Sequence, residues 1–217
     1  MESRAASRKE RGGAELRRSQ ILCAAKACFS EYGFHGTSMA VLSKSSGMSI
    51  GHIYHYFRNK EAIVEAIVEE ALEEILEVHA SILNRTDILE GLLSHAVEAS
   101  IQFSRLENAR LRLEILSEAG RNARVGRIVQ GFDLRARQSM LKILKCIDES
   151  TVGHSSDSEI EIRFELLSAL MSGFLTRAVK GGHIDEDVFR RSLYHTFRLI
   201  LGSSVPAQVG GQQALTE

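Results

Sequence analysis

A cluster of aromatic and imidazole side chains in the N-terminal part of the chain has the residue types that contact nucleic acids or metals. The cluster comprises His52, Tyr54, His55, Tyr56 and Phe57, in the run GHIYHYFRNKE. Imidazole and phenol groups donate hydrogen bonds to oxygen acceptors, and imidazole nitrogens also bind metal ions. Three interpretations are open: a packed core patch, a metal site, or a surface that lies against a grooved, negatively charged partner.

The metal interpretation rests on His52 and His55, which are three residues apart and would share one face of a helix. A zinc site needs three or four protein ligands. No third ligand stands near these histidines in the sequence, so their spacing alone does not predict a metal site. We predict no cofactor.

Apolar residues in the same stretch predict a packed seam. Leu42, Ile53 and Phe57 can hold two short helices on a longer one, and helices of fewer than roughly 12 residues are marginal alone. For Tyr54, half-buried packing and a phosphate contact both stay open. Lys60 is either a phosphate contact or a solvated lysine.

Hydrophobic periodicity predicts the helices that must position the cluster. Gly33 would end the first helix, Ser49 would cap the third, and Asn59 would cap the fourth. The predicted helices cover residues 14–32, 38–44, 50–56, 60–79 or beyond, 87–106, 107–119, 123–149, 158–180 and 185–201, with a loop at 150–157. The second and third are joined by a tight turn containing glycine, which is typical of a helix-turn-helix, whose last helix enters the DNA major groove.

The composition is that of an all-α protein. The 217 residues are 44% hydrophobic, include one proline, and show no strand-length alternation of apolar and polar residues. No apolar run approaches the roughly 18 residues of a membrane span, and no hydrophobic segment follows the basic N-terminus as in a secretory signal. Three cysteines without a metal-ligand motif indicate a reducing cytoplasm, with Cys23 and Cys28 as small buried residues.

The charge is distributed unevenly along the chain. Residues 1–60 carry ten Lys and Arg against four Glu, a formal charge of +6, and the remainder carries 17 basic and 24 acidic residues, a charge of −7. A basic N-terminal part on an acidic body predicts that the N-terminal part meets a polyanion.

Several short motifs of this region resemble one family. They are Gly36-Thr37-Ser38, Leu42, Gly47-Met48-Ser49, Ile53-Tyr54-His55-Tyr56-Phe57 and Asn59-Lys60-Glu61-Ala62, preceded by ILCAAKACFSEYGF. This pattern, over residues 19–64 or about a fifth of the chain, is similar to the DNA-binding domain of the TetR family of transcriptional regulators. The remainder agrees with that family in length and helix number.

The resemblance implies a homodimer of nine-helix subunits that binds a double-stranded, palindromic operator, usually as a repressor released by a small molecule. By position, the implied base contacts are Ile50, Gly51, His52 and His55. The implied phosphate contacts are Thr37, Ser38, Tyr54, Tyr56 and Lys60, to which we add Ser49 at the groove end of the third helix.

Two positions depart from the family pattern. Position 50, often polar or basic in the family, is Ile50, and position 52, often Thr or Ser, is His52. Ile50 would pack on a thymine methyl group, and His52 would donate to guanine N7 or O6. The operator sequence of a relative therefore does not transfer to this chain.

We divide the chain into a flexible basic arm at 1–13, a helix-turn-helix domain at 14–62, a ligand-binding and dimerisation domain at 63–202, and a disordered tail at 203–217. The last two predicted helices have apolar residues over a wide arc, which indicates burial on two sides. Two such helices and their copies would form a four-helix dimer interface, and burial within one subunit is the alternative. The predicted interface residues are Leu167, Leu170, Met171, Phe174, Phe189, Leu193, Phe197 and Ile200.

The middle helices would enclose an unidentified small-molecule effector. Polar residues on apolar stretches are candidates to orient it, and none is selected as a site: His79, His95, Arg112, Glu114, Ser139, Ser168 and Ser172. Effector binding would tilt the helix over residues 60–79, taken as the only rigid connection to the N-terminal domain, and would alter the separation of the two recognition helices.

Two other classes of function are considered. An enzyme is not predicted, because the chain has no Gly-rich phosphate loop and no HExxH or GxSxG motif. A nucleoid-type DNA-binding protein without an effector is the alternative to a ligand-responsive repressor. Such a protein would share the helix-turn-helix and show little sequence preference.

Overall fold

The computed structural model describes residues 2–150, 155–181 and 185–202, and the side chains of residues 2–12 are outside this description. Within these ranges the chain is all-α, as predicted, and forms nine helices without a strand. They are α1 Glu2–Gly36, α2 Met39–Ser46, α3 Ile50–Tyr56, α4 Lys60–Leu83, α5 Ile88–Phe103, α6 Leu106–Ala119, α7 Ala123–Ser150, α8 Asp157–Lys180 and α9 Glu186–Gly202. None of these helices is sufficiently long and apolar to cross a membrane.

The buried apolar side chains form two separate clusters. The head core joins α1, α2, α3 and the first half of α4, and Val125 of α7 also packs into it. The body core joins the end of α4 with α5, α7, α8 and α9. Because Ile63 and Ile67 of α4 belong to the head core and Ile82 to the body core, α4 is shared by both. The predicted domain boundary between residues 62 and 63 stays a prediction.

The two ends of the chain were predicted to lack regular structure. Helix α1 begins at Glu2. In the predicted arm at 1–13, only Gly13 lies in the range whose side chains the structure describes. The predicted tail at 203–217 and the centre of the predicted loop, residues 151–154, also lie outside the described residues.

Gly33 interrupts α1 at the position where the sequence predicts its end. Its backbone has φ 73° and ψ 172°, a region that side chains with a Cβ rarely adopt. Past Gly33 the chain makes one further turn, in which the N–H of Thr37 donates to the carbonyl oxygen of Gly33 at 3.2 Å. This bend brings the end of α1 against α6.

Replacing Gly33 by alanine is expected to destabilise the protein by roughly 1–3 kcal/mol, because alanine must adopt this strained backbone region. The added Cβ would also lie 3.1 Å from Oε1 of Glu114. Urea unfolding at one protein concentration measures the loss. Gly131→Ala is the matched control, because Gly131 is helical with open space around its Cβ position. An unchanged unfolding midpoint for Gly33→Ala would contradict the expectation.

The prediction that Cys23 and Cys28 are both buried is half wrong. Cys28 is buried in the head core and Cys23 is exposed. Ile21, Ala25 and Cys28 recur at i, i+4 and i+7 on the inner face of α1, whereas position 23 lies on the opposite face. Both thiols are free.

Part of the predicted dimer interface is also wrong. Leu167, Leu193 and Phe197 are buried in the body core of the single chain, and Phe197 is 0% exposed, so their own subunit already covers them. Helices α8 and α9 pack against α5, against α7 and against each other, which explains their wide apolar arcs. The remaining residues are partly buried against the body core, and for them the interface stays a prediction: Leu170, Met171, Phe174, Phe189 and Ile200.

Candidate nucleic-acid interface

Serine side chains fix the starts of the two short helices. Ser38 caps α2 by accepting the N–H of Val41, and Ser49 caps α3 by accepting the N–H of His52, each at 3.2 Å. Such caps satisfy backbone donors that a helix start leaves open. Both serines are exposed and use their oxygens as acceptors here, so each hydroxyl hydrogen is available to a phosphate oxygen.

The turn between α2 and α3 is held from three sides. Gly47 ends α2 in the left-handed region, with φ 68° and ψ 17°. The amide Nε2 of Gln20 on α1 donates to the carbonyl oxygen of Ser46 at 2.8 Å. The hydroxyl of Ser43 donates to the carbonyl oxygen of Met48 at 2.6 Å. The orientation of α3 therefore follows that of α1.

Helix α3 has one buried side and one exposed side. Ile53 is buried in the head core, and Phe57 joins it just beyond the helix, as the apolar seam predicted. On the other side Ile50 is 41% and Tyr54 51% exposed, and Gly51 and His55 are exposed as well. Four of the predicted DNA-contacting residues thus share an outward surface, and their contacts with DNA stay predictions.

His52 and Tyr56 lie at the edge of this surface and are partly buried. Their rings stack with centroids 5.5 Å apart, and the ring of His55 meets Tyr56 edge-on at 5.3 Å. Arg17 of α1 places one guanidinium nitrogen 3.5 Å from Nε2 of His52. Because arginine only donates, Nε2 of His52 is the acceptor in this contact.

Arg17 was missed as a candidate for the interface. It is exposed beside His52, which puts a cation at the edge of the recognition surface. Its only signal in the sequence is membership of the basic N-terminal part. Two other cations of that part, Lys26 and Arg18, form ion pairs with Glu70 of α4 at 2.9 and 3.8 Å. Their charges are therefore partly neutralised within the protein.

The predicted phosphate contact of Thr37 is corrected by its burial. Its side chain is 0% exposed, and its hydroxyl lies 2.8 Å from the carbonyl oxygen of Gly33 and 3.1 Å from that of Cys28. The hydroxyl hydrogen is used inside the fold, where it fastens the end of α1. The side chain of Thr37 therefore cannot reach a phosphate.

Lys60 is partly buried and binds the backbone at the end of α1. Its ammonium group donates to the carbonyl oxygen of Phe34 and lies 4.2 Å from the centroid of the Phe34 ring. Burial lowers the pKa of Lys60, which the nearby carboxylates of Glu61 and Glu118 partly offset. A phosphate contact by Lys60 stays a prediction, and it would use the donors that Phe34 leaves free.

Two carboxylates of α6 bind the same end of α1. Glu114 accepts the N–H of Phe34 at 2.7 Å, and Glu118 lies 3.0 Å from Nε2 of His35. We call these four residues the α1–α6 clamp. Helix α4 is therefore not the only rigid connection between head and body, and Glu114, considered as an effector contact, serves as a link instead.

No group of three or more His, Cys, Asp or Glu side chains is placed to hold a metal ion in the described ranges. In the same ranges, His52 contacts Arg17 and stacks on the Tyr56 ring, and His55 meets the Tyr56 ring edge-on. The outward surface of α3 is thus a set of hydrogen-bond donors, an apolar side chain and a bare backbone position. This is the chemistry that reads base edges and phosphates in a groove.

Comparisons with known proteins agree with this geometry. The family profile described as bacterial regulatory proteins, tetR family, matches residues 21–67, which include α2 and α3. The HTH-type transcriptional repressor AcnR of Corynebacterium diphtheriae is 26% identical over 171 residues, covering 79% of this chain and 85% of AcnR.

Two solved structures have the same fold. GusR of Salmonella enterica has a TM-score of 0.71 at 28% identity, with 87% of this chain and 96% of GusR covered. FadR of Bacillus subtilis, solved in complex with stearoyl-CoA, has a TM-score of 0.68 at 18% identity, with 84% and 97% covered, and this likeness is one of fold alone. The relatives are regulators of transcription, which confirms that the chain is not an enzyme. The chain belongs to the TetR family of bacterial transcriptional regulators, and it is a DNA-binding regulatory protein.

Proposed function

We propose that the protein is a ligand-responsive repressor that binds a palindromic operator as a homodimer in the cytoplasm. The outward surface of α3 carries the proposal. It combines Ile50, Gly51, Tyr54 and His55 on one exposed side of a helix whose other side is locked into the head core. A short, rigid helix of this kind fits the DNA major groove.

The homodimer is supported by apolar residues that α8 and α9 turn away from the body core. On α8, Ile162 and Leu166 are exposed, and Ala169 and Gly173 continue the stripe at helical spacing. On α9 the corresponding exposed residues are Val188, His195 and Leu199. Leu199 is 68% exposed, and large apolar side chains in such a stripe favour burial against a second copy.

Response to a ligand is supported by polar groups buried in the body. His79 is buried and its Nδ1 lies 2.9 Å from the hydroxyl of Ser139. Burial, with His95 close by, lowers the pKa of His79 to about 4, and burial also lowers the pKa of His95. Both imidazoles are therefore neutral near pH 7 and can donate to and accept from a bound molecule. FadR, which shares the fold, was solved with stearoyl-CoA bound.

The mechanism we propose uses both links between head and body. Two recognition helices must sit roughly 34–36 Å apart, or a multiple of that, to enter successive major grooves on one side of the duplex. A ligand that shifts α4 or α6 in the body would move α1 through the α1–α6 clamp and α3 with it. The change in spacing would weaken operator binding by shifting the population of DNA-competent dimers.

The test is a mobility shift at stated salt with DNA from upstream of the protein's own gene, against scrambled DNA. We expect preferential binding to the upstream DNA. His52→Ala should reduce the preference by roughly 1–3 kcal/mol at one base pair of each half-site, while binding to scrambled DNA stays unchanged. Equal affinity for both DNAs would reject the repressor and favour the nucleoid-type alternative.

A further inference from the structure

A groove of about 490 Å³ runs between α4 and α7 on the outside of the body. Four arginines line it: Arg58, which precedes α4, and Arg124, Arg127 and Arg135 of α7. Residues 61–217 carry a net formal charge of −7, so a cluster of guanidinium groups here is unlike its surroundings. Its volume is that of a small-molecule site.

Two of the four arginines are neutralised by α4. Arg135 donates to both carboxylate oxygens of Glu69, at 2.8 and 3.0 Å, and Arg124 lies 3.9 Å from Glu65. Arg58 and Arg127 are exposed and have no acidic side chain within ion-pair distance among the described residues. The groove therefore holds two arginines without a carboxylate partner in the described ranges, and their guanidinium groups can bind an anion.

The wall of the groove between these charges is partly apolar. Val68 of α4 and Ile128 and Phe132 of α7 line it, and all three are partly buried. Gly131 leaves an opening beside Phe132, because a Cβ there would meet no atom within 4 Å. The occupant that fits has an anionic group for the arginines and an apolar group for this wall.

We infer that the α4–α7 groove binds a small organic phosphate, with the phosphate on Arg58 and Arg127 and the apolar group against Phe132. A guanidinium presents two parallel N–H donors that match two phosphate oxygens, which a point charge does not. Arg58 belongs to the connection between α3 and α4, and Arg127 belongs to α7. A phosphate that bridges them therefore fastens the head to the body.

Binding of the organic phosphate does not depend on the proposed repressor function. Its effect on operator affinity rests on that proposed function. When the phosphate fastens each head to its body, the distance between the two recognition helices can no longer change. The organic phosphate should therefore change operator affinity. Binding is therefore measured first without DNA, and the operator mobility shift is a separate measurement. Loss of binding overturns this inference alone, and loss of operator preference overturns the proposed function alone.

The experiment titrates 1-naphthyl phosphate into the purified full chain and measures heat. We expect saturable binding, weaker binding of inorganic phosphate, and none of 1-naphthol. Arg127→Gln should weaken the binding of 1-naphthyl phosphate by about tenfold or more, since it removes a charge-assisted hydrogen bond to the phosphate. Arg110→Gln is the matched control, because Arg110 is an exposed arginine of α6 outside the groove, and it should bind like the parent.

Three results would overturn the inference. The first is no binding of 1-naphthyl phosphate. The second is binding that Arg127→Gln leaves unchanged, which would locate the probe elsewhere in the body. The third is equal binding of 1-naphthol, which would show that the apolar group alone is recognised. Circular dichroism of both variants confirms that they are folded like the parent.

Discussion

Leu166→Glu is expected to convert the proposed homodimer into monomers and to weaken operator binding by roughly a hundredfold or more. Leu166 is 50% exposed on α8, one turn from the exposed Ile162, and Leu199 of α9 is exposed as well. In a two-fold interface each substitution occurs twice, so two unpaired carboxylates would enter an apolar contact. A monomer then binds one half-site without the effective concentration that a second linked head provides, which contributes roughly 10²–10⁴ in affinity.

The measurement combines light scattering after size exclusion with the operator mobility shift. Leu116→Glu is the matched control, since Leu116 is 47% exposed on α6, and it should leave both mass and affinity unchanged. Leu166→Glu should keep the helical content of the parent, because its side chain lies outside the body core. A Leu166→Glu protein that remains dimeric would show that the copies meet through another surface.

The neighbouring leucines of α8 explain why the sequence assigned Leu167 to the interface and left out Leu166. Leu166 and Leu167 are both apolar, and consecutive residues point about 100° apart on a helix. Periodicity identifies α8 as a helix and cannot decide which leucine its own subunit covers. That choice depends on the placement of α5 and α9, and the structure gives the interior to Leu167 and the exterior to Leu166.

Residue types and spacings within a few positions predicted the recognition helix α3 better than they predicted the long-range contacts that hold the head in place. Ser49 as the cap of α3 and Ile53 in the head core follow from residue type and spacing within a few positions. The bond between Phe34 and Glu114 joins residues 80 positions apart, and no periodicity encodes it. Thr37 shows the same limit, because only the bend at Gly33 turns its hydroxyl inward.

Gly51→Leu is expected to abolish operator preference while leaving the protein at least as stable as the parent. A Cβ at Gly51 would meet no atom within 4 Å, so the fold accommodates a side chain there. Leucine also favours a helix over glycine by up to about 1 kcal/mol. In the proposed complex the bare backbone of Gly51 lies against the floor of the major groove, where a leucine would push α3 outward. Loss of two base contacts at roughly 1–3 kcal/mol each would weaken specific binding by about thirtyfold or more.

Gly51→Ala is the matched control for this substitution, because it adds the same helix preference with only one methyl group. It should bind the operator within a few-fold of the parent, so affinity should fall with side-chain size while the unfolding midpoint does not. Binding to scrambled DNA should persist in both variants, since phosphate contacts supply it. If Gly51→Leu binds the operator as tightly as Gly51→Ala, the backbone of α3 does not approach the bases, and the base contacts assigned to Ile50, His52 and His55 must be abandoned with it.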